Sequence, residues 1–156
     1  MAFRWALGVV GAVILVAGGQ PAQGRGAKAA CTAGTTKTLI QAFTRNYSAG
    51  HVAVINRMWA PEPRFRWFSS AKPGARFGPA AYVRSTLARY FRSRIRVHEG
   101  LHITELRARY EPRRKIVNFF GKLVRSADDI PSRPPQDFKG AADCVSGRPT
   151  LIVWSM

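Results

Sequence analysis

Residues 94–111 read RIRVHEGLHITELRARYE, and the spacing of their apolar side chains changes part-way along the stretch. Strand alternation divides the apolar side chains between two faces, with Ile95, Val97, Leu101 and Ile103 on one and Leu106, Ala108 and Tyr110 on the other. This change of face predicts a bulge near Thr104 and Glu105. The stretch is therefore predicted to be one long, bent strand.

Further strands follow this one. After the turn EPRR, the stretch KIVNFFGKLVRS (115–126) is predicted to return as the second strand of a hairpin. The segment SADDIPSRPPQDFKG (126–140) has three prolines and is predicted to be a surface loop. KGAADCV (139–145) and TLIVWSM (150–156) are predicted to form a last hairpin.

Helical spacing dominates the chain before residue 94. Thr35 or Thr36 is expected to cap a first helix whose apolar stripe is Leu39, Ala42, Phe43 and Tyr47, and which ends at Ala49-Gly50. A short second helix is expected to stop before Pro61. A third is expected to open at Gly78-Pro79, with Val83, Leu87, Tyr90 and Phe91 as its buried stripe.

Between the second and third helices lies RFRWFSS (64–70), which is too short and too aromatic for a helix. As a strand it would turn Phe65, Trp67 and Ser69 toward one face, and Arg64, Arg66 and Phe68 toward the other. The element order predicts an α+β domain with helices on one face of an antiparallel sheet.

The amino terminus has the layout of a secretory signal peptide. Arg4 precedes an apolar run from Trp5 to Ala17 that is shorter than the roughly 20 residues needed to span a bilayer. We therefore predict a signal peptide at 1–24, a flexible arm at 25–34 and one domain at 35–156. The expected location is outside the bacterial cell or in its envelope, with membrane tethering if the signal is not cleaved.

Two cysteines remain after cleavage, and in an oxidising compartment we expect a disulfide between Cys31 and Cys144. Two unpaired thiols are the alternative. The cysteines and three histidines show no metal-ligand spacing, so we expect no metal and no cofactor. The formal charge of +17 favours anionic partners but identifies none.

Three features of the chain resemble the SnoaL-like branch of the nuclear transport factor 2-like superfamily. They are the helix–glycine–helix opening within AFTRNYSAGHVAVINRMWAPEPRFRWFS (42–69), the predicted helix after Gly78-Pro79 and the closing IVWS (152–155). The resemblance covers residues 35–156. It implies a cone-shaped α+β barrel, in which a strongly curved sheet wraps around three helices and a cavity opens at the wide end.

Apolar, aromatic cavities are typical small-ligand sites. The expected pocket residues are Trp59, Phe65, Trp67, Tyr82, Tyr90, Asn118, Phe120 and Trp154. The alternative is that the aromatic residues only fill the core. We expect a binding domain for a small apolar or amphipathic ligand or a partner, without assigned chemistry.

Two other functions stay open at this stage. Enzymes of the superfamily, such as isomerases and cyclases, use an acid or base in the cavity, and a hydrolase is a further possibility. The weak catalytic candidates here are Glu99, Glu105, His98 and His102. An anionic envelope polymer or nucleic acid could instead bind Arg84, Arg89, Arg92, Arg94 and Arg96, and the sheet could form a homodimer.

Overall fold

The computed structural model describes residues 30–69, 80–131 and 133–156, so the predicted signal peptide lies outside the described residues. Within these ranges the chain forms helices first and long strands last. The elements in chain order are α1 (Ala33–Ser48), α2 (Val52–Arg57), β1 (Arg66–Phe68), β2 (Ala80–Ala81), α3 (Arg84–Ile95), β3 (Gly100–Glu111), β4 (Ile116–Ser126), β5 (Gln136–Asp143) and β6 (Thr150–Ser155). No helix in this part of the chain is long and apolar enough to cross a membrane.

The strands form one curved, open sheet in the order β2-β1-β6-β5-β4-β3. Neighbouring strands are antiparallel except β1 and β6, which run parallel. The helices cover one face, called the inner face here, and α1 packs mainly against β3. The predicted α+β class with a curved sheet is confirmed, and the parallel β1–β6 pair is an addition to it.

The predicted bulge in β3 is confirmed, because the pairing register with β4 shifts between Ile103 and Glu105. The extra residue brings both apolar sets of the strand to the inner face, where Ile103 and Leu106 pack against the core. The predicted start of this strand at Ile95 is wrong. Helix α3 continues through Ile95, and a turn at 96–98 precedes the strand.

Helix α1 begins three residues earlier than predicted. The Thr32 hydroxyl accepts a hydrogen bond from the Thr35 amide at 3.1 Å, and the Thr35 hydroxyl accepts one from the Thr32 amide at 2.9 Å. This capping box satisfies two of the free amides at the helix start. The expected end of the helix is confirmed, since Ala49 is its C-cap and Gly50 follows with a φ of 76°.

Helix α3 begins later than predicted, at Arg84, and Gly78-Pro79 lies outside the described residues. Ala80 and Ala81 pair with β1 as a short strand, so the helix cannot yet have started there. Val83 is the N-cap and is exposed, contrary to its expected place in the buried stripe, whereas Leu87 and Phe91 are buried. The predicted loop 126–140 is also shorter than expected, because β5 begins at Gln136, which pairs with Leu123.

The alternation expected of RFRWFSS is confirmed. Phe65, Trp67 and Ser69 are buried, whereas Arg64 and Arg66 are exposed. Trp67 and Trp154 lie opposite each other in the β1–β6 register, so both rings enter the core from neighbouring strands.

The predicted disulfide is confirmed. Cys31 precedes α1 and Cys144 follows β5, and their Cα atoms are 5.4 Å apart, within the usual range for a disulfide. The bond ties the start of the domain to its last hairpin, across a sequence separation of 113 residues.

Candidate functional site

The interior of the cone holds a cluster of large aromatic rings. The Phe43 ring lies in contact distance of Tyr47, Trp59, Trp67, Phe91 and Trp154, with centroid separations from 4.8 to 6.1 Å. These rings are at most 1% exposed. Of the residues expected to line the pocket, Trp59, Phe65, Trp67 and Trp154 are fully buried here, with Tyr90 half-buried beside Trp67.

Three polar atoms in this cluster lack partners among the described residues. The indole N–H groups of Trp59, Trp67 and Trp154 are buried and make no hydrogen bond. A buried donor without an acceptor costs about 1–3 kcal/mol. The interior is therefore aromatic and tightly packed, but its indole donors find no acceptor in the described part of the chain.

A buried ionic network lies where α1 and α3 end. The Glu99 carboxylate is 2% exposed and accepts hydrogen bonds from Tyr47 Oη at 3.0 Å, Arg125 Nε at 2.9 Å and Arg94 Nε. Arg94 also donates two hydrogen bonds to Asp129, at 2.6 and 2.7 Å. One carboxylate thus connects α1, α3 and β4.

Tyr90 extends this network toward β1. Its hydroxyl accepts a hydrogen bond from Arg125 at 3.2 Å and donates one to Ser69 Oγ at 2.6 Å. A general base needs a lone pair that a substrate can reach. The Glu99 oxygens face tyrosine and arginine donors in a closed environment, so the geometry favours a structural role for this acid.

The network shifts the pKa of several of its members. Burial, followed by the negative charge of Glu99, raises the pKa of Tyr47 well above its ordinary value, and burial also raises the pKa of Tyr90. The Arg94 guanidinium, which hydrogen-bonds to Asp129, lowers the pKa of that carboxyl. The tyrosines therefore stay protonated, and Asp129 stays ionised, over a wider pH range than in the unfolded chain.

The other catalytic candidates do not meet at one site. His98 is not on the strand as expected, because it lies in the preceding turn with a φ of 51° and contacts Asp128 at 2.7 Å. Glu99 also precedes β3. His102 is exposed on β3 in a cleft against α1, and Glu105 is exposed at the bulge. The four side chains therefore do not form a catalytic group.

The arginines expected to form an anion surface have different roles. Arg84 donates hydrogen bonds to the carbonyl oxygens of Trp59 and Ala60, at 2.6 and 2.9 Å, and so is committed to the segment after α2. Arg94 is buried in the network, contrary to its expected place on the solvent face. Arg89, Arg92 and Arg96 are exposed.

The sheet face without helices, called the outer face here, carries two rows of side chains that cross five strands. The first row is Arg107, Phe120, Lys139, Ser155 and Phe68, and the second is Arg109, Asn118, Ala141, Val153 and Arg66. The second row has an arginine at each end, whereas the first row has Arg107 at one end and Lys139 in its middle. Residues opposite each other in a sheet have Cβ atoms about 5 Å apart, so each row is a continuous surface.

A groove of about 580 Å3 runs over these rows. It is lined by Phe68, Asn118, Phe119, Phe120, Lys139, Gly140, Ala141, Val153 and Ser155. Its volume lies within the range of small-molecule sites, about 300–1,000 Å3. The outer face thus offers a concave apolar surface that the protein's own side chains do not fill.

The groove arises from small residues between large ones. Phe120 and Phe68 stand on β4 and β1, whereas Ala141 on the intervening β5 contributes only a methyl group to the floor between them. Its neighbour Gly140 is required by the inner face, because a Cβ there would lie 2.3 Å from the Phe119 ring and from the Val153 carbonyl oxygen. Gly140 therefore makes room for Phe119 on the inner face, and the small side chain of Ala141 keeps the floor of the outer groove open.

Three predicted pocket residues belong to the outer face and not to the interior. Asn118, expected to be a buried amide, is half-buried and donates a hydrogen bond to Glu111 at 3.2 Å. Phe120 is 46% exposed, and Tyr82 is 49% exposed with its ring against Phe68. The expected pocket is thus divided between two faces of the sheet.

No family model and no curated protein matches the sequence. Among solved structures, a protein of unknown function with a cystatin-like fold from Nostoc punctiforme has a TM-score of 0.60 and 10% identity, covering 78% of this chain and 86% of its own. A candidate dehydratase of the nuclear transport factor 2-like family from Streptomyces avermitilis has a TM-score of 0.58 and 10% identity, covering 79% and 92%. The chain has the cystatin-like fold of nuclear transport factor 2-like proteins.

A candidate scytalone dehydratase from Novosphingobium aromaticivorans is also similar to this chain, with a TM-score of 0.57 and 9% identity over 78% of this chain and 79% of its own. The predicted fold is confirmed, and identities this low carry no activity with them. The residues that sequence reasoning missed are Phe68, Lys139, Ala141, Val153 and Ser155. Their signal is the alternation itself, which places them all on the outer face.

Proposed function

We propose that this chain is an exported binding domain, without chemistry of its own, that holds a small apolar or amphipathic molecule in the groove on the outer face. The observation that carries the proposal is the apolar groove of about 580 Å3 between Phe68 and Phe120. The disulfide supports export, because disulfides persist in oxidising compartments.

The contrast with the interior also supports this site. The predicted cone pocket contributes buried rings that pack on one another, and the acid nearest to them is saturated with hydrogen bonds. The candidate residues for an isomerase, cyclase or hydrolase, and those for polymer binding, do not come together in one site. They are dispersed or committed to internal contacts.

The test is titration of the purified domain with the neutral dye Nile red, whose emission rises in apolar surroundings. Ala141→Leu fills the floor of the groove, and we expect it to weaken dye binding at least tenfold. Ala53→Leu adds the same atoms at an exposed position of α2 and should leave binding unchanged. No dye binding by the folded wild-type protein, or equal binding by Ala141→Leu, would contradict the proposal.

A second candidate keeps the ligand inside the cone, and the unpartnered indole N–H groups of Trp59, Trp67 and Trp154 favour it. An acceptor oxygen from a bound molecule would remove the cost of these buried donors. Native mass spectrometry of wild-type protein and Ala141→Leu separates the two candidates. A co-purified mass retained in Ala141→Leu supports the interior, whereas a mass lost in that variant supports the groove.

A further inference from the structure

The groove continues into a second, charged half of about 620 Å3, which shares Phe120, Lys139 and Ser155 with the apolar half. The added lining is mainly ionic and includes Arg107 and Lys122. A molecule that followed the groove would therefore pass from apolar to charged surroundings at Phe120.

The charges in this second half are not all available to a ligand. Lys122 contacts Asp137 at 3.4 Å and lies opposite Glu105 in the strand register, so both acids are next to the same lysine. Arg107 and Lys139 lie on either side of Phe120 in the register, and neither forms an ion pair within the described part of the chain. Two cations without an ion-pair partner among the described residues thus flank the aromatic residue at the junction, and the acids Glu105 and Asp137 line the same half of the groove beside Lys122.

We infer that the ligand of this groove is a single-chain amphiphile with an anionic head group. The inference rests on the proposed function and adds the class of ligand. The apolar chain lies over Ala141 and Val153 between the two phenylalanines, and the head group lies between Arg107 and Lys139. These two residues are two strands apart, roughly 10 Å between Cα atoms, so both long side chains reach one head group above Phe120.

Charge complementarity favours this occupant over a second copy of the chain. Two outer faces pressed together would bring the arginines and the lysine of the two rows of one copy toward those of the other, in a protein with a formal charge of +17. Like charges brought together across an interface are costly. An anionic head group meets the same cations with the opposite sign.

The experiment compares dodecanoate, below its micelle concentration, with dodecanol, below its solubility limit, as competitors of Nile red at pH 7.4. The two probes share an apolar chain and differ in the charge of the head. We expect dodecanoate to bind about tenfold more tightly, because its carboxylate contacts two exposed cations. The double variant Arg107→Gln/Lys139→Gln should lose this preference, with less than a twofold change for dodecanol.

The control is Arg89→Gln/Arg92→Gln, which removes the same charge from the exposed side of α3 and should leave the preference intact. If neither probe nor the dye binds the wild-type protein, the proposed function itself is wrong. If both probes bind equally, or the preference survives in Arg107→Gln/Lys139→Gln, the groove binds ligands but the inference of an anionic head is overturned.

Two other occupants are outcomes of the same series. Sedimentation that shows a dimer dissociated by Phe120→Gln, without probe binding, would assign the outer face to a second copy. Co-sedimentation with vesicles of anionic phospholipid, without dodecanoate binding, would assign it to a membrane surface. Either result overturns the inference.

Discussion

The inner and outer faces of the sheet are built from alternate residues of the same strands, yet only one of them is filled. On β4, Phe119 is 1% exposed within the aromatic cluster, and its neighbour Phe120 is 46% exposed beside the groove. On β5, Gly140 makes room for the Phe119 ring on the inner side, and Ala141 lies in the groove on the outer side. Among the described residues, the open surface of this sheet therefore lies on the side away from the helices.

The two faces also differ in how they treat charge. On the inner side, Glu99, Arg94 and Arg125 are buried and hydrogen-bonded to one another. On the outer side, Arg107 and Lys139 are exposed and have no ion pair among the described residues. The inner charges thus connect three elements of the fold, whereas Arg107 and Lys139 contribute no ion pair among the described residues.

The largest expected effect comes from breaking the inner network. Glu99→Gln leaves Arg125 buried without its counter-charge and leaves Arg94 with Asp129 alone, and the loss of a partner from a buried ion pair costs about 3–5 kcal/mol. Urea denaturation measures the free energy of unfolding. Glu105→Gln, at an exposed position of the bulge, should change it by less than about 0.5 kcal/mol. Equal changes in the free energy of unfolding for the two variants would contradict a stabilising role for the buried Glu99 network.

The glycine that makes room for Phe119 gives the next effect. Gly140→Ala places a methyl group 2.3 Å from the Phe119 ring and from a backbone oxygen, so we expect a loss of about 1–3 kcal/mol. Gly34→Ala is the control, because its Cβ meets only Thr32 Oγ1 at 3.6 Å within α1 and should stabilise the helix by up to about 1 kcal/mol. Thermal unfolding followed by circular dichroism measures the stability of both variants. An unchanged stability of Gly140→Ala would contradict the predicted clash with Phe119.

The buried tyrosine of the network predicts how stability depends on pH. Since burial raises the pKa of Tyr47, the folded state keeps its proton after the unfolded chain has begun to lose it. The contribution is fully present below about pH 10, the ordinary pKa of tyrosine, and is lost as pH rises further. We expect Tyr47→Phe to lower stability at pH 7 and to flatten the decline between pH 9.5 and 11, roughly the range in which free tyrosine titrates.

Denaturation midpoints across that pH range supply the measurement for Tyr47→Phe. Tyr82→Phe is the control, since the Tyr82 side chain is half exposed and lies outside the network. An alkaline decline that stays unchanged in Tyr47→Phe would contradict a role for the Tyr47 proton.

The smallest effect on stability is expected on the outer face. Phe120→Gln removes an aromatic wall that is already 46% exposed, so the free energy of unfolding should change by no more than about 0.5 kcal/mol. Dye binding should nevertheless fall several-fold, because the variant removes one side of the groove. A large loss of stability with unchanged dye binding in Phe120→Gln would contradict the assignment of ligand binding to the outer face and of stability to the inner face.

Local pattern was enough to predict much of the fold. The alternation in RFRWFSS, the bulge near Glu105, the end of α1 and the Cys31–Cys144 disulfide follow from spacing or residue type alone. The errors came at element boundaries. Gly78-Pro79 is a good helix start in isolation, but the following Ala80 and Ala81 pair with β1, and tertiary pairing overrides local preference.

The candidate site was harder to predict, because it depends on which face each residue occupies. Asn118 and Phe120 stand among buried neighbours in VNFF, and two consecutive phenylalanines leave the alternation ambiguous. Only the pairing of Phe119 with Gly140 decides which of the two phenylalanines faces the core, since the Phe119 ring needs the space above a glycine. The ionic network had no sequence signal either, because Glu99 meets Tyr47 and Arg125 only through folding.

The placement of the tryptophans determines what spectroscopy can report on this protein. Of four tryptophans in the sequence, Trp5 lies in the predicted signal peptide, and Trp59, Trp67 and Trp154 are buried in one aromatic cluster. Intrinsic fluorescence will therefore follow the unfolding of the core as a single signal. It will be nearly blind to events on the opposite side of the sheet, so an unchanged emission spectrum on adding a compound says nothing against binding there.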